Sequence, residues 1–183
     1  IHLFLSRYRN SDIKVHVSYE ENGPFETGGG LAHASSLLTG DDRPFVVMNA
    51  DILTDLNLAS MYDYHKSQDP LATLAVTTRT STRNFLFNDK MHLSGWKNNK
   101  TEEVKIVHTS SALESLTPFA FSGVHIIHPR IFDLMPSSGC FSITDTYLSL
   151  AAQHSIVGHN HTGDLVLDVG KPDALQKAEQ LFN

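Results

Sequence analysis

Short apolar runs, several with a two-residue period, alternate along this chain with segments whose apolar residues recur at the helical period. Such alternation with short connections predicts a layered α/β sheet with crossover helices. The elements predicted in chain order are a helix over 2–9, a strand over 13–19, a helix over 29–38, a strand over 44–50, a helix over 57–67, a strand over 71–78, a β-hairpin over 83–96, a strand over 118–128, a helix over 143–153, strands over 155–160 and 164–168, and a last helix that begins at Pro172.

One apolar run ends at a carboxylate, in the sequence Val46-Val47-Met48-Asn49-Ala50-Asp51. It predicts a buried strand of a parallel sheet that places Asp51 at its carboxyl end, where open α/β sheets bind their ligands. An aspartate at this point is also common as a helix cap or turn former. Asp51 alone therefore does not decide the function.

Consecutive glycines follow Glu26 and Thr27 at the start of the second predicted helix, at Gly28-Gly29-Gly30. Because glycine lacks a Cβ, backbone amides here can approach a flat or anionic ligand closely. A tight turn is the commoner use of such glycines. Both interpretations stay open on the residues alone.

Segments in five places resemble motifs of the sugar-1-phosphate nucleotidyltransferases, in the order in which that family has them. They are Glu26-Thr27-Gly28-Gly29-Gly30, Asn49-Ala50-Asp51, Phe121-Ser122-Gly123-Val124, Ser142-Ile143-Thr144-Asp145 and Leu167-Asp168-Val169-Gly170-Lys171-Pro172. The closest resemblance is to the branch of N-acetylmuramate-1-phosphate uridylyltransferase and mannose-1-phosphate guanylyltransferase. It implies a Rossmann-like three-layer α/β/α fold with a mixed, mainly parallel sheet.

The resemblance also implies a role for each matching residue. The residues expected to bind the nucleotide are Glu26, Thr27, Gly28 and Gly29, with the free amides of the two glycines against the base. The residues expected to be catalytic and to bind Mg²⁺ are Asp51 and Asp168. The residues expected to bind the sugar are Asn49, Ser122, Gly123 and Glu103. The match at Glu103 is looser than the others and also includes Lys105.

Two family segments have no counterpart here. The family begins with a strand and a loop of the form Gly-x-Gly-Thr-Arg-Leu-x-Pro-Leu-Thr, which wraps the triphosphate, and a Pro-Lys segment follows. This chain opens instead on a helical pattern at Ile1, with no capping residue before it. We therefore expect residues 1–183 to be a single nucleotidyltransferase domain that lacks the triphosphate loop and is inactive by itself.

The implied reaction joins a nucleoside triphosphate and a sugar-1-phosphate to give a nucleotide sugar and pyrophosphate. The sugar phosphate is itself the nucleophile, so positioning and charge neutralisation carry the catalysis. Hard carboxylate oxygens suit Mg²⁺. Two alternatives stay open: a catalytically impaired regulatory subunit that binds a sugar nucleotide, and a metal-dependent glycosyltransferase, although Asp51-Ile52-Leu53 lacks the Asp-x-Asp usual in the latter.

The amino-acid composition narrows the kinds of partner this protein can bind and the cellular compartment in which it is expected. The chain has 183 residues, 40% of them hydrophobic, which suits one domain, and its net charge of -6 without a basic run argues against nucleic acid. The sequence has no apolar stretch of the roughly 20 residues that a membrane span needs. A single cysteine, Cys140, excludes an internal disulfide and favours the cytoplasm. A homo-oligomer stays open.

Eleven histidines and the lone Trp96 raise further possibilities. A structural zinc site is disfavoured, because it needs four ligands and the histidine pairs have no cysteine or further carboxylate nearby. Core or surface positions are the better interpretation for the histidines. For Trp96, packing on its own sheet is commoner than stacking on a substrate.

Overall fold

The computed structural model describes residues 2–7, 13–21, 23–107, 113–170, 174 and 178–180. The helices are α1 (His2–Arg7), α2 (Glu26–His33), α3 (Ser35–Leu38), α4 (Leu58–Gln68) and α5 (Ile143–Leu150). The strands are β1 (Phe45–Met48), β2 (Ile52–Thr54), β3 (Ala72–Thr77), β4 (Arg83–Phe87), β5 (Leu93–Asn98), β6 (Val104–Ile106), β7 (Thr117–Ile127), β8 (Ile156–Asn160) and β9 (Val166–Asp168).

Seven of the described strands form one sheet in the order β6-β5-β4-β7-β3-β8, with β1 also paired to β7. Strand β7 runs antiparallel to β1, β3 and β4, whereas β3 and β8 are parallel. The predicted mixed sheet is confirmed, but the expectation that it is mainly parallel is wrong for the described strands. Strands β4, β5 and β6 follow one another through short turns, which permit only antiparallel pairing, and β7 opposes every strand beside it.

Helices cover both faces of the sheet, as the predicted three-layer arrangement requires. All six residues of β3 are buried, and they alternate between two cores. Leu74 and Val76 pack with residues from α2 and α5, whereas Ala75 packs with Met61 of α4 on the other face. None of the helices in the described part of the chain has the length and apolar character needed to cross a bilayer.

Residues 13–20 form no regular element, although their alternating apolar pattern predicts a strand over 13–19. Ile13, Val15, Val17 and Tyr19 are all exposed. A strand needs a neighbour that satisfies its backbone hydrogen bonds, and no described strand pairs with this segment. The alternation therefore indicates a β tendency, but no strand lies beside this segment among the described residues.

The two ends of the chain test the remaining helix predictions only in part. Helix α1 ends at Arg7, and the predicted residues 8 and 9 lie outside the described residues. Most of the predicted last helix, including Pro172, also lies outside them, as does Lys171 just before it. The parts of it that are described, residues 174 and 178–180, are helical.

Candidate active site

Two carboxylates meet beside the small sheet of β2 and β9. Asp51 lies on the turn after β1, directly before β2, and Asp168 ends β9. The antiparallel register places Ile52 opposite Asp168. The Val169 amide donates a 2.8 Å hydrogen bond to the carbonyl oxygen of Asp51. Backbone pairing thus fixes two acidic residues next to each other that are far apart in the sequence.

Gly170 shows how closely the two side chains approach. A methyl group at Gly170 would lie 3.0 Å from Asp51 Oδ2 and 3.2 Å from Asp168 Oδ1. The two carboxylate oxygens are therefore no further apart than the sum of these distances, so both can contact one ion or its hydration shell. The Gly170 amide donates a 3.0 Å hydrogen bond to Asp168 Oδ1 and so orients that carboxylate. The expected convergence is confirmed, whereas metal binding stays a prediction.

The chemistry of this carboxylate pair suits Mg²⁺ better than zinc. Both residues are exposed, so water and ligand oxygens can reach them. Mg²⁺ takes one or two carboxylates and keeps several waters or phosphate oxygens. Within the described ranges, no group of three or more His, Cys, Asp or Glu side chains is arranged to hold a metal ion. The pair therefore fits an ion that is shared with ligand phosphates.

A cleft of about 670 Å³ opens beside this acidic turn. Its walls come from the start of α2, the end of β1, strands β4 to β7 and the start of α5. Asn49, on the same turn as Asp51, lines the cleft, so this turn forms part of its wall, although Asp51 and Asp168 themselves are not among its lining residues. The volume falls within the range of small-molecule sites, about 300–1,000 Å³.

Aromatic and basic side chains line one wall of the cleft. Phe85 is opposite Trp96, and Trp96 is opposite Lys105, so the three share one face of the sheet, together with Arg83. Lys105 Nζ lies 5.4 Å from the centroid of the Trp96 ring and donates a 2.8 Å hydrogen bond to Asp145 Oδ1. That hydrogen bond raises the pKa of Lys105. Trp96 packs on its own sheet, as expected, and also lines the cleft.

His125 lines the cleft although it is only 3% exposed. Its Nδ1 shares a 2.6 Å hydrogen bond with the hydroxyl of Tyr147. Burial lowers the pKa of His125 to about 3 and raises the pKa of Tyr147. Nε2 of His125 has no hydrogen-bond partner among the described residues, and it is not among the buried polar atoms sealed from solvent. A neutral imidazole nitrogen is therefore available to a ligand in the cleft.

The buried histidines predict a loss of stability on mild acidification. Burial is the largest cause that lowers the pKa of His125 from 6.5 to about 3 and of His65 to about 4. The unfolded chain takes up these protons below pH 6.5 and the folded chain does not, so stability falls as the pH drops from about 6.5 towards 3. For His125 alone the loss at pH 5 is about 2 kcal/mol.

Urea unfolding of the wild type and of His125→Gln at pH 7 and at pH 5 measures this effect. The variant should lose less stability than the wild type between the two pH values. The exposed His92 provides the matched control, since His92→Gln should leave the pH dependence as it is in the wild type. Equal losses in the wild type and in His125→Gln would show that His125 does not stay neutral in the folded protein.

The glycines of α2 serve close packing, which corrects the expectation that their amides are free. Gly28 and Gly29 are buried, and their amides donate hydrogen bonds of 2.9 and 3.1 Å to the carbonyl oxygen of Phe141. A methyl group at Gly28 would lie 2.5 Å from Phe141 Cδ2, and one at Gly29 would overlap the carbonyl oxygen of Gly139. The helix begins at Glu26, so the glycines lie inside it and press it against residues 139–141.

Glu26 and Thr27, by contrast, both line the cleft. Glu26 has a φ of 58°, in the left-handed region that residues other than glycine rarely adopt. The Thr27 hydroxyl accepts a 3.0 Å hydrogen bond from the amide of Ile143, at the start of α5. Thr27 thereby satisfies an otherwise unpaired helix amide and joins two walls of the cleft.

Of the residues expected to bind the sugar, some line the cleft and others do not. Asn49 lines the cleft, whereas Glu103 is exposed beside Lys105, with 3.9 Å between Glu103 Oε1 and Lys105 Nζ. Ser122 is fully buried, and its hydroxyl is 2.8 Å from Nε2 of His161. Because neighbouring side chains of a strand point to opposite faces, Ser122 faces away from the cleft that Phe121 lines.

Gly123 shapes the cleft wall through its backbone. Its φ is +73°, and a methyl group there would lie 2.9 Å from Ile52 Cγ1 and 3.0 Å from Asn49 Nδ2. Its carbonyl oxygen accepts a 2.9 Å hydrogen bond from the Asn49 amide. Gly123 therefore lets the turn that carries Asp51 lie tightly against β7.

Comparison with known proteins supports the resemblance seen in the sequence. The chain is 28% identical over 172 residues to N-acetylmuramate alpha-1-phosphate uridylyltransferase of Neisseria meningitidis, an alignment that covers 92% of this chain and 67% of that protein. It is 26% identical over 160 residues to mannose-1-phosphate guanyltransferase of Yarrowia lipolytica, covering 86% of this chain and 41% of that protein. No family model matches the chain.

Solved structures with a similar fold have related names. A UTP-bound UGPase from Acinetobacter baumannii superposes with a TM-score of 0.63 at 16% identity, over 87% of this chain and 57% of that one. A putative glucose-1-phosphate thymidylyltransferase from Bacillus anthracis gives a TM-score of 0.61 over 89% of this chain and 62% of that one. The chain is a relative of the sugar-1-phosphate nucleotidyltransferases and has their α/β fold, over part of their length.

Sequence reasoning missed several residues that line the cleft, among them Arg83, Phe121 and His125. A signal for the first was present in the predicted hairpin, because the two-residue period puts Arg83 and Phe85 on one face of β4. No such signal existed for His125, whose environment depends on the long-range contact between β7 and α5.

Proposed function

We propose that this protein transfers a nucleoside monophosphate from a nucleoside triphosphate to a sugar-1-phosphate, giving a nucleotide sugar and pyrophosphate. The convergence of Asp51 and Asp168, on a turn whose Asn49 lines a polar and aromatic cleft, carries the proposal. The relatives named for uridylyl and guanylyl transfer to sugar phosphates support the same class of reaction.

The step needs no catalytic base. A phosphate oxygen of the sugar-1-phosphate attacks the α-phosphorus of the triphosphate, and the bond from that phosphorus to the bridging oxygen breaks. Pyrophosphate leaves with the electron pair. Because the attacking group is already an anion, the residues of this chain act by holding the two phosphates in line and by excluding water.

Asp51 and Asp168 would hold Mg²⁺ through exposed carboxylate oxygens. When bound, the ion neutralises charge on the phosphate oxygens as the bond to pyrophosphate breaks. The Gly170 amide on Asp168 and the Val169 amide on the Asp51 backbone keep the pair in place.

The two ends of the cleft suggest how the substrates divide it. We assign the nucleotide to the α2 side, where Glu26 and Thr27 line the cleft and Gly28 and Gly29 allow α2 to lie close to α5. We assign the sugar to the β4–β6 side, with Asn49 between the two. Ser122 faces away from the cleft, Gly123 packs against Asn49, and Glu103 is exposed beside Lys105.

The relatives also suggest which substrates to try first. One is named for an N-acetylmuramate 1-phosphate and a uridylyl group, the other for a mannose 1-phosphate and a guanylyl group. We therefore favour UTP and GTP with these two sugar phosphates. A cytoplasmic location, favoured by the lone and exposed Cys140, is part of the proposal.

A second candidate is a regulatory subunit that binds a sugar nucleotide without turning it over. Titration calorimetry with UTP, GTP and the matching nucleotide sugars, with and without Mg²⁺, separates the candidates when product formation is followed in parallel. Mg²⁺-dependent binding with product supports the enzyme, binding of nucleotide sugar without product supports the regulatory subunit, and no binding contradicts both.

A further inference from the structure

His125 places a polar side chain in an apolar part of the cleft wall. It lies on β7 between Val47 of β1 and Leu74 of β3, which pair with it on either side. The ring of Phe121 packs edge-on against the imidazole, with 5.4 Å between centroids. Burial is the one cause that lowers the pKa of His125 to about 3, so no charged side chain among the described residues acts on it appreciably. The imidazole is therefore neutral at pH 7.

The hydroxyl of Tyr147 determines which imidazole nitrogen carries the proton. Tyr147 is fully buried, and burial raises its pKa, so the hydroxyl keeps its proton at pH 7. Its one hydrogen-bond partner among the described residues is Nδ1 of His125, at 2.6 Å. If Nδ1 were protonated, it would donate to the hydroxyl oxygen, and the proton of the hydroxyl would be buried without an acceptor. The hydroxyl therefore donates to Nδ1, and the proton of the neutral imidazole lies on Nε2.

The Nε2–H group of His125 is left as a donor for a ligand in the cleft. Nε2 has no partner among the described residues and, unlike Nε2 of His65, is not sealed from solvent. An anion at this point would lack a counter-charge, and a hydroxyl would bring a donor of its own that apolar walls cannot satisfy. A carbonyl oxygen only accepts hydrogen bonds, so it is the group that best suits a single neutral N–H donor.

We infer that Tyr147 is a positioning residue that fixes His125 as a neutral N–H donor, and that Nε2 of His125 binds a carbonyl oxygen of a substrate in the cleft. The tautomer follows from hydrogen bonds within the chain, whereas the substrate contact rests on the proposed function. A nucleobase and an amide substituent of a sugar are two sources of the same acceptor group. His125 is then a specificity residue that takes no part in the transfer of the nucleotidyl group.

Nitrogen NMR of the protein with isotopically labelled histidine, and with any residues that its gene encodes before Ile1, tests the tautomer. At pH 7 the signals of His125, assigned by their loss in His125→Gln, should show an unprotonated Nδ1 and a protonated Nε2. Tyr147→Phe keeps the ring and removes the hydroxyl, so it should lose this fixed tautomer. Tyr62→Phe is the matched control: its hydroxyl donates to the carbonyl oxygen of Pro44 outside the cleft, and the His125 signals should not change. A protonated Nδ1 in the wild type would overturn the inference.

Matched ligand pairs identify the carbonyl. UTP and GTP carry base carbonyls and ATP carries none, and N-acetylglucosamine 1-phosphate carries an amide carbonyl that glucose 1-phosphate lacks. We expect the Nε2–H signal of His125 to shift with the carbonyl-bearing member of one pair and not with its partner. A shift with UTP or GTP assigns the contact to the base, and a shift with the acetylated sugar assigns it to the sugar. Equal shifts within each pair, a shift with inorganic phosphate, or no shift with any ligand would overturn the contact.

Calorimetry on two His125 variants measures the same contact. His125→Leu removes the donor, so Kd for the carbonyl-bearing ligand should rise about 3- to 10-fold, the range of one neutral hydrogen bond. His125→Gln keeps an N–H donor and should restore most of the affinity. Equal weakening of both ligands of the pair in His125→Leu would contradict the contact. A carbonyl-dependent shift without product supports the role of His125 and contradicts the transferase, whereas product without any such shift contradicts the role of His125 alone.

Discussion

Replacing Asp51 or Asp168 with asparagine should lower kcat for nucleotidyl transfer by about 10²- to 10³-fold, the usual cost of removing one preorganised electrostatic contact from an active site. Asparagine keeps the size of the side chain and removes the charge. The two carboxylates converge on one point beside Gly170 and would share one ion. The double variant should therefore lose little more than either single variant, because residues that act as a unit are not additive.

Pyrophosphate release at a series of Mg²⁺ concentrations measures both the loss of rate and any shift in the metal requirement. Asp63→Asn is the matched control, since Asp63 is an exposed aspartate of α4 that lies outside the cleft. Its rate and Mg²⁺ dependence should match the wild type. Full activity of Asp51→Asn and Asp168→Asn at limiting Mg²⁺ would remove both residues from the mechanism.

Gly29→Ala should destabilise the folded protein by about 1–3 kcal/mol or more, the usual range for overpacking a tight contact. The added methyl group would overlap the backbone carbonyl of Gly139, which cannot rotate away as a flexible side chain can. For a chain of 183 residues, each kcal/mol corresponds to about 2–4 °C in Tm. Because the overlap forces α2 away from residues 139–141, the cleft should also widen and nucleotide binding should weaken.

Gly40 supplies the control for this stability measurement. A methyl group at Gly40 would meet no atom within 4 Å, so Gly40→Ala should change Tm little. Thermal unfolding of the two variants and the wild type decides the point. A Gly29→Ala protein as stable as Gly40→Ala would mean that α2 does not lie as close to residues 139–141 as the structure has it.

The sequence predicted the parts of the fold whose signals are local. The hairpin of β4 and β5, strand β7 and helices α4 and α5 lie where periodicity placed them. Strands β2 and β6 were not predicted, because each has three residues and exists through pairing with a distant or adjacent strand. Residues 13–19 have the alternating pattern of a strand but do not form one. A strand also needs a neighbouring strand to pair with, and the local pattern does not show whether one is present.

The candidate site shows the same division. Asp51 and Asp168 could be selected by resemblance, and their convergence follows from the register of β2 with β9. The glycines were correctly marked as places of close approach, but the partner proved to be the loop at Phe141 and not a ligand. Which group a glycine contacts depends on tertiary packing. Neither amino-acid composition nor the periodicity of apolar residues predicts that contact.

Ser122 illustrates a further limit. Its motif resembled a sugar-contacting strand, yet its hydroxyl lies in a buried contact with His161, whose Nδ1 is 3.4 Å from Asp164 Oδ2. Phe121 and His125, four residues apart on β7, both line the cleft, whereas Ser122 points to the opposite face of the sheet. The motif identifies the strand but does not say which of its side chains meet the cleft.

The most direct test of the account is the stoichiometry of product formation by this protein together with any residues that its gene encodes before Ile1. The protein is incubated with Mg²⁺, a nucleoside triphosphate and a sugar-1-phosphate, and nucleotide sugar and pyrophosphate are quantified by mass spectrometry and an enzymatic assay. The account predicts equal amounts of the two products for at least one pair, and a strongly reduced rate of their formation in Asp51→Asn. Absence of nucleotide sugar with every pair, or release of free nucleoside monophosphate in its place, would contradict it.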